Sequence, residues 1–184
     1  MRKLASISAF IFMLVAAASA QIPTSGNIFF GYSYYHTNLS GIDSANTNGF
    51  EGSLEGKVFP FLGIVADFDG HYGSQNFGSA CPVGGVCTPV NLNFSEHNVL
   101  FGPRASFSVG RFRPFAEAMF GIGHINTGSY SGSDTSFATG IGGGIDYRLL
   151  RILAWRVQGD YVRTSFFHAD QNNTRISTGI VFRF

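Results

Sequence analysis

After its first twenty residues the chain contains a single lysine, Lys57, and no run of arginines. That excludes a phosphate track for nucleic acid, which needs clustered bases. It has two cysteines and six prolines, so neither a disulfide-dense scaffold nor a proline-rich linker is in view. Beyond Gln21 no apolar run approaches the 18 residues of a membrane helix, and no segment sustains a helical repeat. What is abundant is aromatic and small: 20 Phe, seven Tyr and 24 Gly in 184 residues.

One apolar run does occur, at the start. MRKLASISAFIFMLVAAASA combines Arg2 and Lys3, an apolar stretch from Ile7 to Ala18 and an Ala18-Ser19-Ala20 site. These are the three parts of a secretory signal peptide. The run is too short to span a ~30 Å hydrocarbon core, which takes about 20 residues. Residues 1–20 are therefore expected to be cleaved before Gln21, leaving 21–184 as one domain. Without Arg2 and Lys3, ten bases face eleven acids. In an exported chain Cys81 and Cys87, within ACPVGGVCTP, are expected to form a disulfide rather than a metal site. Closing so small a loop contributes only about 2 kcal/mol.

The mature chain alternates. Period-two runs occupy about 27–36, 49–58, 62–72, 93–107, 112–123, 137–148, 153–164 and 174–184. Successive side chains of a strand point to opposite faces. Most runs reach ten residues, the 9–11 that a tilted strand needs to cross a bilayer. Within a run the charges share one parity, Arg163 at a strand end being the exception. The charged face holds the acids Glu51, Glu55, Asp67, Asp69, Glu117, Asp146 and Asp160, and the bases Lys57, Arg104, Arg113, Arg148, Arg156, Arg175 and Arg183. Arg163 apart, the opposite face is uncharged through the eight runs and carries most of the aromatics. A soluble lipocalin-like barrel has its apolar face inside; a membrane barrel inverts this. Backbone polar groups in lipid all need partners, so the sheet must close. The expected fold is all-β: an eight-stranded antiparallel up-and-down transmembrane β-barrel.

Three connections are tight (Phe59-Pro60-Phe61, Val109-Gly110-Arg111, Leu149-Leu150-Arg151). Four are long and polar: HTNLSGIDSANTN, GSQNFGSACPVGGVCTPVN, HINTGSYSGSD and SFFHADQNN. Short periplasmic turns and long extracellular loops are the rule for such barrels. Phe59, Phe107, Phe112, Tyr147, Trp155, Phe182 and Phe184 then fall near the periplasmic interface. Tyr34, Phe50, Tyr72, Phe137 and Tyr161 fall near the outer one, giving two aromatic girdles.

NIFFGYSYYHTN, HNVLFGPRASF, RPFAEAMFGIG, GIGGGIDYRL and STGIVFRF together resemble the small eight-stranded outer-membrane barrels of the OmpA-like and OmpX-like kind. The likeness spans about 27–184. It implies an integral protein of the bacterial outer membrane, in contact with outer-membrane lipids and lipopolysaccharide. It also implies that Ile180, Phe182 and Phe184 are the signal read by the assembly machinery, with periplasmic chaperones on the route. The chain stops at its eighth strand, so the peptidoglycan-binding domain of full-length OmpA relatives is not expected.

Eight strands enclose a bore that side chains just fill. The charged set, with Asn98, Phe115 and Gln158, is expected to plug it. A structural or surface-interaction barrel, monomeric and without cofactor or catalytic residues, is therefore favoured over a narrow-pore transport protein or a lipid-modifying enzyme. The glycines of Gly140-Ile141-Gly142-Gly143-Gly144 are expected to make room for neighbouring arginines; no helix and no lysine follow, as a phosphate loop requires. Ser95 and His97 share the outward face with no acid beside them, short of a triad. His36, His71, His97, His124 and His168 map to the outer ends of strands or to loops, where a metal-binding or acid-sensing rim is the open alternative. The loops, rich in Asn, Ser, Thr and Gly, suit polar contacts with an extracellular ligand.

Overall fold

The computed structural model describes residues 25–37, 45–80, 88–127 and 132–184. The leader 1–20 and both Cys81 and Cys87 lie outside the described residues. Eight strands follow in order: β1 Gly26–Thr37, β2 Ala45–Phe59, β3 Leu62–Ala80, β4 Thr88–Ser106, β5 Phe112–Asn126, β6 Ser133–Arg148, β7 Leu153–Thr164 and β8 Gln171–Arg183. A single 3-10 turn, Phe166–His168, stands between β7 and β8. Each strand pairs antiparallel with its neighbours in sequence, and β1 pairs with β8 to close the barrel.

The closing seam runs from Asn27 opposite Arg183 to His36 opposite Thr174. The backbone N–H of Gly26 donates to the carbonyl of Phe184 at 2.9 Å, and that of Phe184 donates back to Gly26 at 3.2 Å. The last strand is thus paired with β1 from Thr174 onward and with β7 from Gln171 to Phe182, so its membrane-spanning part has partners on both sides, as a strand in lipid must.

Alternation sets which face is which. Along β7, Ala154, Arg156, Gln158, Asp160, Val162 and Thr164 are buried, and Trp155, Val157, Tyr161 and Arg163 are exposed. All twelve girdle aromatics lie on the outer surface, at least partly exposed. Trp155 Nε1 is satisfied there by Thr178 Oγ1 at 2.9 Å. Several strands run further than the alternating pattern predicts: β2 begins at Ala45, β3 reaches Ala80, β4 begins at Thr88 and β5 reaches Asn126. Above the membrane both faces are wet, so backbone pairing continues while apolar alternation ends.

Candidate functional site

The bore is filled by side chains from every strand, in two polar tiers with apolar packing beside them. Arg175, wholly buried on β8, is the hub of the tier nearer the long loops. Its Nη1 donates to Asp67 Oδ1 at 2.7 Å and Asp69 Oδ2 at 2.5 Å, and its Nη2 to Asp160 Oδ2 at 2.9 Å. Glu51 Oε2 lies 3.4 Å from its Nε. Glu51 also accepts from Ser177 Oγ and, at 2.5 Å, from Gln158 Nε2. Above them Tyr35 Oη donates to Glu96 Oε1 at 3.0 Å, and Asn98 Nδ2 bridges Asp69 and Glu96 at 2.9 and 3.3 Å. The Tyr35 ring stacks on His71 at 4.5 Å.

The tier nearer the tight turns is organised by Arg104 and Arg156. Arg104 Nε donates to Glu117 Oε2 at 2.6 Å and its Nη1 to Glu55 Oε2 at 3.3 Å. Glu55 also meets Arg113 at 2.9 Å, Lys57 at 3.0 Å and Asn27 at 2.7 Å. Arg156 Nε donates to Asp146 Oδ1 at 2.7 Å, and Arg183 reaches Asp146 Oδ2 at 3.4 Å. Phe115 is pressed between the two arginines, each guanidinium carbon 4.6 Å from its ring centroid. Phe29 lies 5.0 Å from Arg156. Val65, Leu100, Met119 and Ala138 form an apolar cluster on the inner wall. Buried ions of this kind persist only when paired and hydrogen-bonded.

Of the predicted lumen set, Glu51, Glu55, Asp67, Asp69, Arg104, Glu117, Asp146, Arg156, Asp160 and Arg175 are buried inside. Lys57, Arg113 and Arg183 are half-buried at the mouth on the tight-turn end. Arg148 is the correction: it is exposed at the rim, where its Nη2 donates to the Gly110 carbonyl at 3.2 Å. It stands at the strand's end, below the last closed layer of the bore. His71, at the outer end of its strand, shares the inward parity of Asp67 and Asp69 and is buried rather than part of an exposed rim, with Ser33 Oγ 2.9 Å from its Nε2 and Asp69 Oδ1 3.2 Å from its Nδ1. His36 and His124 are exposed at the loop end, and His97 packs outward against Phe68 and Tyr72. The side chain of His168 lies outside the described residues.

The predicted set omits Glu96, buried in the upper tier, although it shares parity with Asn98 and Arg104. The inward glycines also serve a different neighbour than expected. A Cβ on Gly142 would stand 1.8 Å from Asp160 Oδ1, and one on Gly144 2.7 Å from Gln158 Cβ, so the room is used by β7 rather than by arginines. Among the described residues no group of three or more His, Cys, Asp or Glu is arranged to hold a metal ion.

The family model described as outer membrane protein beta-barrel domain matches residues 5–184. The chain belongs to that family. The barrel is also similar to solved outer-membrane proteins. The attachment invasion locus protein Ail of Yersinia pestis, in complex with the heparin analogue sucrose octasulfate, is 17% identical, with a TM-score of 0.58 over 87% of this chain and 98% of that one. Neisserial surface protein A is 13% identical, with a TM-score of 0.67 over 86% and 97%. OprG of Pseudomonas aeruginosa is 9% identical, with a TM-score of 0.53 over 87% and 95%. No curated protein sequence matches it. The family membership makes this an outer-membrane β-barrel, with its tight turns on the periplasmic side.

Proposed function

We propose that the protein is a closed structural barrel of the outer membrane whose lumen does not conduct and whose loops meet a polar extracellular partner. The observation that carries this is Arg175, which ties carboxylates of β2, β3 and β7 to β8 across the bore. A path for solutes would have to break that hub and expose uncompensated buried charge. Planar bilayers test it: the purified protein is expected to give no steady conductance, and an open channel would overturn the reading.

The partner is expected to be uncharged and polar, such as the sugars of lipopolysaccharide. Ail is seen with a polysulfated sugar. Here the loop end has one base, Arg163, already paired with Asp170 at 2.5 Å, so a polyanion would find little counter-charge. Whole cells displaying the protein should bind neutral glycans in preference to heparin-like ones. Catalysis is not part of this reading. Ser33, His71 and Asp69 do form a hydroxyl–imidazole–carboxylate row, but all three are sealed in the lumen, away from any acyl substrate. Unchanged lipid A acylation in expressing cells is the expected result. The same reading includes removal of 1–20, recognition of Ile180, Phe182 and Phe184 by the assembly machinery, and a Cys81–Cys87 disulfide. A mature N-terminus at Gln21 and a mass loss of two hydrogens on oxidation would support it.

A further inference from the structure

The periplasmic end carries a cationic and apolar collar that the lumen network does not use. Arg111 in the β4–β5 turn, Arg148 at the end of β6 and Arg151 in the β6–β7 turn are all exposed. The two turns are tied together: Arg148 donates to the Gly110 carbonyl through Nη2 at 3.2 Å and to the Arg111 carbonyl through its backbone N–H at 2.8 Å. Around them Val109, Leu150 and Ile152 are 61–62% exposed, and Leu149 is exposed as well. These residues continue the lipid-facing belt of Phe112 and Tyr147, whose rings lie 5.1 Å apart.

The acidic side chains of this end, Glu55, Glu117 and Asp146, are buried and already engaged by Lys57, Arg104, Arg113, Arg156 and Arg183. Among the described residues no exposed Asp or Glu faces the three arginines. The opposite end differs, since its one exposed base is neutralised by Asp170.

We propose that this collar binds the phosphate of anionic phospholipid headgroups in the periplasmic leaflet. The guanidinium forks of Arg111, Arg148 and Arg151 match phosphate oxygens in pairs. The apolar turn residues sit at the top of the acyl chains while the arginines reach for the headgroups. Continuity of the apolar turns with the lipid belt favours a lipid over an acidic periplasmic polymer, which would need no greasy flank.

The test uses the full chain in vesicles of phosphatidylcholine with phosphatidylglycerol, extracted into detergent, with retained lipid counted by native mass spectrometry. The native protein is expected to enrich phosphatidylglycerol on the order of tenfold, since each base near a lipid surface adds several-fold attraction. Added salt should erode the enrichment. R111Q/R148Q/R151Q should abolish it, R111K/R148K/R151K should keep most of it, and R163Q should leave it intact. Heat-shifted gel mobility would verify that each variant is folded, and the salt dependence of the native chain needs no variant. Equal retention of both lipids by the native protein would overturn the proposal. So would undiminished enrichment in the glutamine variant, or soluble peptidoglycan fragments occupying the arginines where phosphatidylglycerol does not.

Discussion

Arg104 on β4 stands opposite Glu117 on β5 in the sheet register, and its Nε donates to Glu117 Oε2 at 2.6 Å in the buried bore. Removing one member leaves a charge with no solvent to replace its partner. R104M and E117Q are each expected to cost about 3–5 kcal/mol, the usual penalty for breaking a buried pair. The double variant should cost less than the sum by about 0.5–3 kcal/mol, because its second change removes the orphan left by the first. Urea unfolding from lipid vesicles measures all three. Strict additivity would mean that the pair is not coupled.

Arg175 should be harder to replace than Arg104, since Asp67, Asp69 and Asp160 all accept from it and Glu51 lies beside it. R175M leaves an acidic cluster without its only arginine, and a loss of at least about 3–5 kcal/mol is expected. R175K keeps the charge but not the planar fork, so it should recover only part of the loss. Full recovery by lysine would show that the charge alone matters.

Much of this network was legible because a strand's period of two assigns a face without knowing the partner. Arg156 and Asp160 have the parity opposite to that of Trp155 and Tyr161, which flank them, and they are buried where those aromatics are exposed. Face is not depth, however. Arg148 shares the inward parity but stands beyond the filled bore, and His71 reads as a rim residue by height although its parity with Asp67 and Asp69 turns it inward. Glu96 lies within the alternating run 93–107 and shares the inward parity of Asn98 and Arg104, but it stands among the polar residues before Val99, where no apolar partner face marks the strand as spanning. Partners across the bore were not readable at all. Arg175 meets Asp67, 108 residues away, only because strand tilt and stagger bring β3 and β8 to one level.

Gly142 illustrates a constraint of volume rather than charge. Its register partner on β7 is Asp160, whose Oδ1 would lie 1.8 Å from an added Cβ, with the Gly159 carbonyl at 2.7 Å. G142A should displace the Asp160 carboxylate from Arg175 and cost about 1–3 kcal/mol. Gly52, on the lipid side, has nothing nearer than 3.7 Å to the same added atom, and G52A should be neutral. Comparing the two unfolding midpoints separates crowding in the bore from a general penalty on strand alanine.

The outer face should respond to charge according to depth. Ile141 lies midway along β6 and is 68% exposed to the hydrocarbon band, so I141R should cost about 2–4 kcal/mol. Thr135, level with His124 near the loop end, is beyond that band, and T135R should cost about 0–1 kcal/mol. Equal costs for the two would contradict the placement of the apolar band.

At the loop end a small acid-dependent lock holds the turn between β7 and β8. Asp170 accepts from Ser165 Oγ at 2.6 Å and from Arg163 Nη2 at 2.5 Å. The Ser165 hydroxyl first, and then the Arg163 guanidinium, hold its carboxyl below the ordinary 3.8. A carboxyl with a depressed pKa in the folded protein stabilises the fold above its ordinary value, and the contribution is lost as pH falls through the lowered one. The 3-10 turn Phe166–His168, enclosed by these contacts, should therefore open locally in acid below about pH 3.8 while the barrel stays closed. Hydrogen-exchange protection of the Ala169 amide, which donates to the Phe166 carbonyl at 3.0 Å, reports that opening. D170N should show low protection at every pH, because the amide form cannot accept as strongly from Arg163. Protection that stays level from neutral pH down through the carboxylate range in the native protein, or full protection in D170N, would show that Asp170 does not hold the turn.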